Sequence, residues 1–144
     1  MLLSIDIKNI DTHNILYCKS TENKIIKNSE FIKLLYSNNI FSLNSIIINI
    51  EFNYINIISK YNKMYFYFDT SKYINFISKL VELENRLLLL LNEKKLQPIY
   101  NLKNYFLFKN NFTVNYKHNV NKAYLKISGL WKNSENYGLI FKFI

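Results

Sequence analysis

Lys63, Tyr65 and Tyr67 recur at every second position, and Tyr124 and Lys126 repeat that spacing farther along the chain. Residues two apart on a strand share a face. Each set therefore places flat rings beside ammonium groups, opposite the apolar Met64, Phe66 and Phe68 in one case and Leu125 and Ile127 in the other. Exposed rings on a rigid platform can stack on bases, and neighbouring cations can track a phosphate backbone. Lys109, Lys117, Trp131 and Lys132 continue the same interleaving of aromatic and basic residues. The candidate nucleic-acid contacts are thus Lys63, Tyr65, Tyr67, Lys109, Lys117, Tyr124, Lys126, Trp131 and Lys132. The same residue types also have a plainer use: tyrosine forms strands well and tolerates half exposure, and cross-strand Tyr–Lys pairs can be purely structural.

Other chemistries find less material. His13 and His118 are the only histidines, and neither sits in a catalytic or metal motif. The ten carboxylates contain no pair arranged for a two-metal or glycosidase centre. Two glycines, Gly129 and Gly138, cannot build a phosphate-cradling loop. Cys18 stands alone, which excludes an internal disulfide and a thiolate cluster for zinc. A non-enzymatic chain with no cofactor and no metal is expected.

Net charge is +9, and its distribution is uneven. The first 59 residues carry five lysines and five acids, whereas residues 94–144 carry nine lysines against the single acid Glu135. Isoleucine, asparagine, lysine, tyrosine and phenylalanine share A/T-rich codons, so their abundance alone says little. Codon bias does not explain why one third of the chain holds nearly all the excess charge, and such asymmetry points to a polyanion. Only one arginine is present. Arginine is the usual bidentate reader of guanine edges, whereas lysine acts as a point charge on phosphate, so sequence-tolerant binding is favoured. The longest apolar run, residues 87–91, is far below the roughly 20 residues of a membrane span. The first residues show no basic region leading into an apolar one, so no signal peptide is expected. With a lone cysteine, the reading is a cytoplasmic protein with no membrane partner.

The length suits one domain over residues 1–144. Leu3, Ile5 and Ile7 alternate with polar residues and predict a strand, with a hairpin partner over residues 14–19. Ser29 is a candidate cap for a short helix over residues 30–36. Residues 46–58 predict a long strand, or two joined by a bend, and residues 63–69 another. Asp69, Thr70 and Ser71 offer caps for a helix over residues 72–92, whose Tyr73, Phe76, Ile77, Leu80, Leu83, Leu87, Leu88 and Leu91 recur at helical spacing. Strands are predicted over residues 105–109 and 112–117. Residues 124–131 and 137–144 predict a final hairpin, with residues 132–136 as its loop. The fold class is α+β, mainly antiparallel β: an OB-like barrel or a sandwich, with one long helix inserted before the C-terminal strands.

The last segment runs Lys126-Ile127-Ser128-Gly129-Leu130-Trp131, then Tyr137-Gly138-Leu139, then Phe141-Lys142-Phe143. It resembles the closing hairpin of small single-stranded DNA-binding proteins of virus-like linear DNA elements, of the yeast cytoplasmic plasmid and protein-primed virus type. The A/T bias is similar too. The resemblance covers about the last 20 residues well; the helix and strands before them match in order and length alone. It implies an OB-like fold, cooperative coating of displaced single strands during replication, and a cytoplasmic location, with replication proteins as candidate partners. The chain departs from many replication proteins of this kind by ending in Phe143-Ile144 and not in an acidic tail. An apolar end can pack in the core or between copies in a homo-oligomer. Two other readings stand beside it. One is a structural or accessory subunit of a viral-type polymerase or particle. The other is a duplex-binding terminus or packaging factor.

Overall fold

The computed structural model describes residues 3–118 and 121–144. Met1 and Leu2, part of the N-terminal stretch considered for a signal peptide, lie outside them.

The first described residues do not form the expected strand. Ile5 makes an isolated parallel bridge to Ile48, and the chain then winds through short 3-10 turns at Ile7–Asn9 and Thr12–Asn14. Four strands follow: β1 (Ile15–Tyr17), β2 (Thr21–Glu22), β3 (Glu30–Ser37) and β4 (Ser42–Leu43). β3 replaces the predicted helix over residues 30–36. Its burial alternates: Ile32, Leu34 and Tyr36 point into the core, while Glu30 and Lys33 stay exposed. The period-two pattern wins because β3 pairs with β1, β2 and β4 as well as with a C-terminal strand. Ser29 does not cap a helix; its Oγ donates to the Ile26 carbonyl at 2.8 Å.

The stretch over residues 46–58 is two strands, β5 (Ile46–Asn49) and β6 (Asn56–Lys60). β6 turns directly into β7 (Lys63–Tyr67) through Tyr61 and Asn62, both at positive φ (53° and 60°). That is the backbone of a two-residue type I′ hairpin. Asp69 then accepts the Ser71 amide at 3.1 Å and opens a 3-10 turn at Thr70–Tyr73, as the capping residues suggest. Helix α1 (Ile74–Leu90) follows and buries Ile77, Leu80, Leu83, Leu87 and Leu88. The spacing of three and four is the one read from the sequence.

Strand β8 (Gln97–Ile99) holds Pro98 at the sheet edge, where its missing N–H costs nothing. Of residues 105–109, expected as a strand, 105–108 belong to helix α2 (Asn101–Phe108) and Lys109 follows as its C-cap. The cause lies 18 residues upstream. Glu84 of α1 is fully buried, and its two carboxylate oxygens accept the amides of Leu102 (2.7 Å) and Lys103 (3.0 Å). These amides have no partner within their own helix, and a borrowed carboxylate satisfies them. Leu102 and Phe106, four apart, are then buried together. Strands β9 (Asn111–Asn115), β10 (Tyr124–Lys132) and β11 (Asn136–Phe143) complete the chain.

Two sheets result. The larger has the path β1-β3-β10-β11-β8, with β2 and β4 also on β3 and β5 on β10. All its pairings are antiparallel except β8 with β11. The smaller has the order β6-β7-β9. β10 changes partner midway. Residues 124–127 pair with β5 and residues 129–132 with β3. The register against β11 slips between Ile127 and Gly129, which defines a bulge at Ser128. The fold is therefore α+β and mostly antiparallel, with one long helix before the last strands.

These contacts set how stability responds to substitution. Glu84→Ala strands two amides and should lower the unfolding free energy by roughly 2–4 kcal/mol in urea titrations. Burial also pushes the Glu84 carboxyl above its ordinary range, against the opposing pull of the Lys103 and Leu102 amides. The folded state thus holds this proton more tightly than the unfolded chain. The contribution is full below the unfolded carboxylate pKa and declines as pH rises through the folded one. The stability advantage over Glu84→Gln should shrink along that rise. Separately, a Cβ on Gly129 would stand 2.0 Å from the Ile32 carbonyl oxygen. Gly129→Ala should therefore cost more than about 3 kcal/mol, read from the same titrations.

Candidate nucleic-acid interface

The smaller sheet turns one face inward. Met64, Phe66, Phe112 and Val114 are all buried there. Its other face is built on the middle strand β7, where Tyr65 and Tyr67 lie half-buried side by side with the exposed Lys63. The register sets their neighbours. Lys60 and Asn115 flank Lys63, Ile58 and Thr113 flank Tyr65, and Asn56 and Asn111 flank Tyr67. Two rings on a three-stranded support, bordered by amides and a hydroxyl, form a flat surface on which bases could stack.

Basic groups also lie at the two ends of these strands. At the Tyr67 end, Lys109 caps α2, and its Nζ lies 5.2 Å from the centre of the Tyr105 ring. Tyr105 is anchored by donating its hydroxyl hydrogen to the Asn111 carbonyl (2.8 Å), and burial pushes its pKa up to about 12. At the Lys63 end the type I′ hairpin throws Tyr61 outward, 83% exposed, with the Lys60 ammonium 5.1 Å over its ring. Tyr116, 50% exposed, is tied alongside by its backbone N–H, which donates a hydrogen bond to the Asn62 carbonyl (2.9 Å). Tyr61 and Tyr116 are the most exposed tyrosines among the described residues. Both belong to the sequence's interleaving of aromatic and basic residues but not to the nine candidate contacts, and the exposure of Tyr61 depends on a turn that Tyr61-Asn62 does not advertise. A tyrosine at positive φ is costly, and that cost is the signal that marks it.

A cleft of about 340 Å³ connects this end to the larger sheet. Lys63, Asn115 and Lys117 line it from the small sheet's side, with Lys142 and Phe143 from β11 opposite. Among the described residues none of these three lysines is ion-paired with a carboxylate. Lys142 belongs to the sequence's interleaving of aromatic and basic residues, between Phe141 and Phe143, but not to the nine candidate contacts.

The remaining candidates divide. Tyr124 and Lys126 share the outer face of β10, with the Lys122 ammonium 5.4 Å from the Tyr124 ring. Trp131 lies on that face too, its indole nitrogen 3.0 Å from where a Cβ on Gly138 would stand. It pairs with Phe31 of β3. Tyr65 and Tyr67, by contrast, belong to the other sheet, so the rings do not form one continuous row. Lys132 departs most from expectation. Its ammonium meets Glu93 (3.2 Å) and Glu30 (3.7 Å), and its side chain is only 23% exposed. Two carboxylates already neutralise it.

Among the described residues no three His, Cys, Asp or Glu side chains are grouped to hold a metal, and no helix is long and apolar enough to cross a membrane. Comparison with family models, curated proteins and solved structures finds no match.

The strained hairpin tip yields a direct test. Asparagine tolerates positive φ far better than tyrosine. Tyr61→Asn should keep or raise stability by up to about 1 kcal/mol; were the tip to stack on a base, it should also weaken oligonucleotide binding about fivefold or more, because a stacked ring is worth about 1–3 kcal/mol. Melting curves and fluorescence anisotropy with oligo-dT read the two effects separately.

Proposed function

We propose that this chain is a non-enzymatic, sequence-tolerant binder of single-stranded nucleic acid, with DNA favoured, that coats displaced strands during replication. One observation carries the reading: among the described residues Lys63, Lys117 and Lys142 line one cleft without carboxylate partners, beside the strand that presents Tyr65 and Tyr67 and at the end of the sheet where Tyr61 and Tyr116 stand exposed. Three lysines lining one cleft with no carboxylate within ion-pair distance leave it positively charged, and a phosphate backbone would complement that charge. Aromatic rings next to the cleft offer stacking that any base can use. An OB-like arrangement belongs to the same proposal. β10, bent at its bulge and shared between β3 and β5, is the kind of strand that lets a sheet curl towards a barrel. The resemblance of the closing hairpin to replication proteins of virus-like DNA elements supports the biological setting, which would be cytoplasmic.

A second reading has an observation of its own. Leu107 and Phe108 stand exposed at the end of α2, an apolar pair suited to a protein partner. An accessory subunit of a polymerase or particle would present such a surface.

Titration with labelled oligo-dT, a matched duplex and a matched RNA at several salt concentrations separates these. Single-strand DNA should bind tightest. The logarithm of affinity should fall with the logarithm of salt at a slope of about −2, about 0.7 for each of the phosphates met by Lys63, Lys117 and Lys142. Tyr65→Ala with Tyr67→Ala should weaken the single strand about tenfold and leave the salt slope unchanged. No binding to any of the three would sink the proposal in favour of the subunit reading.

A further inference from the structure

The larger sheet carries a second cavity, of about 480 Å³, on its outer face. The strap over residues 21–25 forms one wall. The sheet supplies Phe31, Lys126, Ile140 and Lys142, and the strap contributes Lys24 and Ile25. This size lies within the range of pockets that enclose small organic ligands.

Two features define what it would hold. The first is charge. Lys126 and Lys142 are direct cross-strand partners. Like charges placed opposite each other destabilise a sheet, and among the described residues neither lysine is ion-paired with a carboxylate. Lys24 brings a third cation, while Glu22 is the one acid in the lining. The second is the apolar wall. Phe31 is not part of the core cluster, although it is only partly exposed. Its ring, with Ile25 and Ile140, offers an apolar surface next to the cations. A flat apolar body carrying a negative charge satisfies both, and one nucleotide has that chemistry.

We infer that this cavity is a nucleotide subsite of the bound strand: a base against Phe31 and Ile140, with its phosphate between Lys126 and Lys142. The inference rests on the single-strand reading and extends it. Lys142 lines both this cavity and the cleft beside the tyrosine surface. It therefore joins the two, and the strand would run from Lys63 and Lys117 past Lys142 into the cavity. Trp131 is the cross-strand neighbour of Phe31, so its emission should report a base arriving there.

The test uses the full chain with a labelled 12-nucleotide oligo-dT and a strand of equal length whose residues are all abasic. Phe31→Ala should weaken oligo-dT about tenfold and the abasic strand less than twofold. Lys24→Ala with Lys126→Ala should weaken both strands. Oligo-dT, and not the abasic strand, should shift Trp131 emission of the unaltered protein. If Phe31→Ala does not fold, Phe31→Leu keeps the apolar volume, removes the flat ring and should show the same selectivity. Equal loss on both strands, or none on either, overturns the subsite. If oligo-dT still binds in that case, and Lys63→Ala with Lys117→Ala weakens it, the single-strand reading survives alone. If the unaltered protein binds neither strand, both proposals fall.

Discussion

The two sheets meet through stacked phenylalanines. Phe112 of β9 lies against Phe143 of β11, ring centres 4.2 Å apart and planes 10° from parallel. On the other side of Phe112, Phe66 of β7 follows at 5.4 Å and 15°. Each such pair contributes about 0.5–1.5 kcal/mol beyond the area it buries. Their larger consequence is geometric. The stack fixes the edge of the small sheet against the last strand of the large one, and the lysine cleft is the outer margin of that junction, with Phe143 in its wall. Phe52, Phe68 and Phe106 extend the aromatic seam towards the helices. Tyrosine rings outside and phenylalanine rings inside thus come from the same strands, divided by the pleat.

Buried polar contacts complete the frame where packing alone would leave backbone groups unpaired. Glu84 holds α2 by its N-terminus. Tyr17 donates its hydroxyl hydrogen to the Leu87 carbonyl near the end of α1 (2.7 Å), and Tyr36 accepts the Asp11 amide (3.1 Å). These long-range bonds pin the helices and the N-terminal turns to the sheets. They also account for how few tyrosines remain free for a ligand. Several rings that composition alone would count as binding residues are spent on the frame.

The bulge in β10 links frame and surface. Before it, Lys126 projects outward between β5 and β11; after it, Gly129 lets the Ile32 carbonyl approach closer than any side chain would permit. The slip of one residue keeps Leu125, Ile127 and Leu130 in the core although an unbroken alternation would turn Leu130 outward.

Local patterns settled a good part of this molecule in advance. The apolar stripe of α1, the Asp69 cap, the Lys63–Tyr67 strand and the C-terminal hairpin all follow from periods of 3.6 or 2 and from capping chemistry, which depend on neighbours in the chain. The sidedness of Tyr65 and Tyr67 followed likewise, because the pleat alternates whatever the strand pairs with. Residues 30–36 and 101–108 were decided by tertiary structure. Short apolar runs satisfy both periods, and the choice fell to remote partners: four strands around β3 and the Glu84 carboxylate at α2. The same holds for the candidate site. The chain's lysine excess is visible in composition, but which lysines lack carboxylates is not. Lys132 is neutralised by Glu30 and Glu93, far away in sequence, while Lys142 faces Lys63 and Lys117 across a cleft that exists only once Phe112 stacks on Phe143. Charge pairing and concavity are properties of distances through space, and the chain order does not carry them.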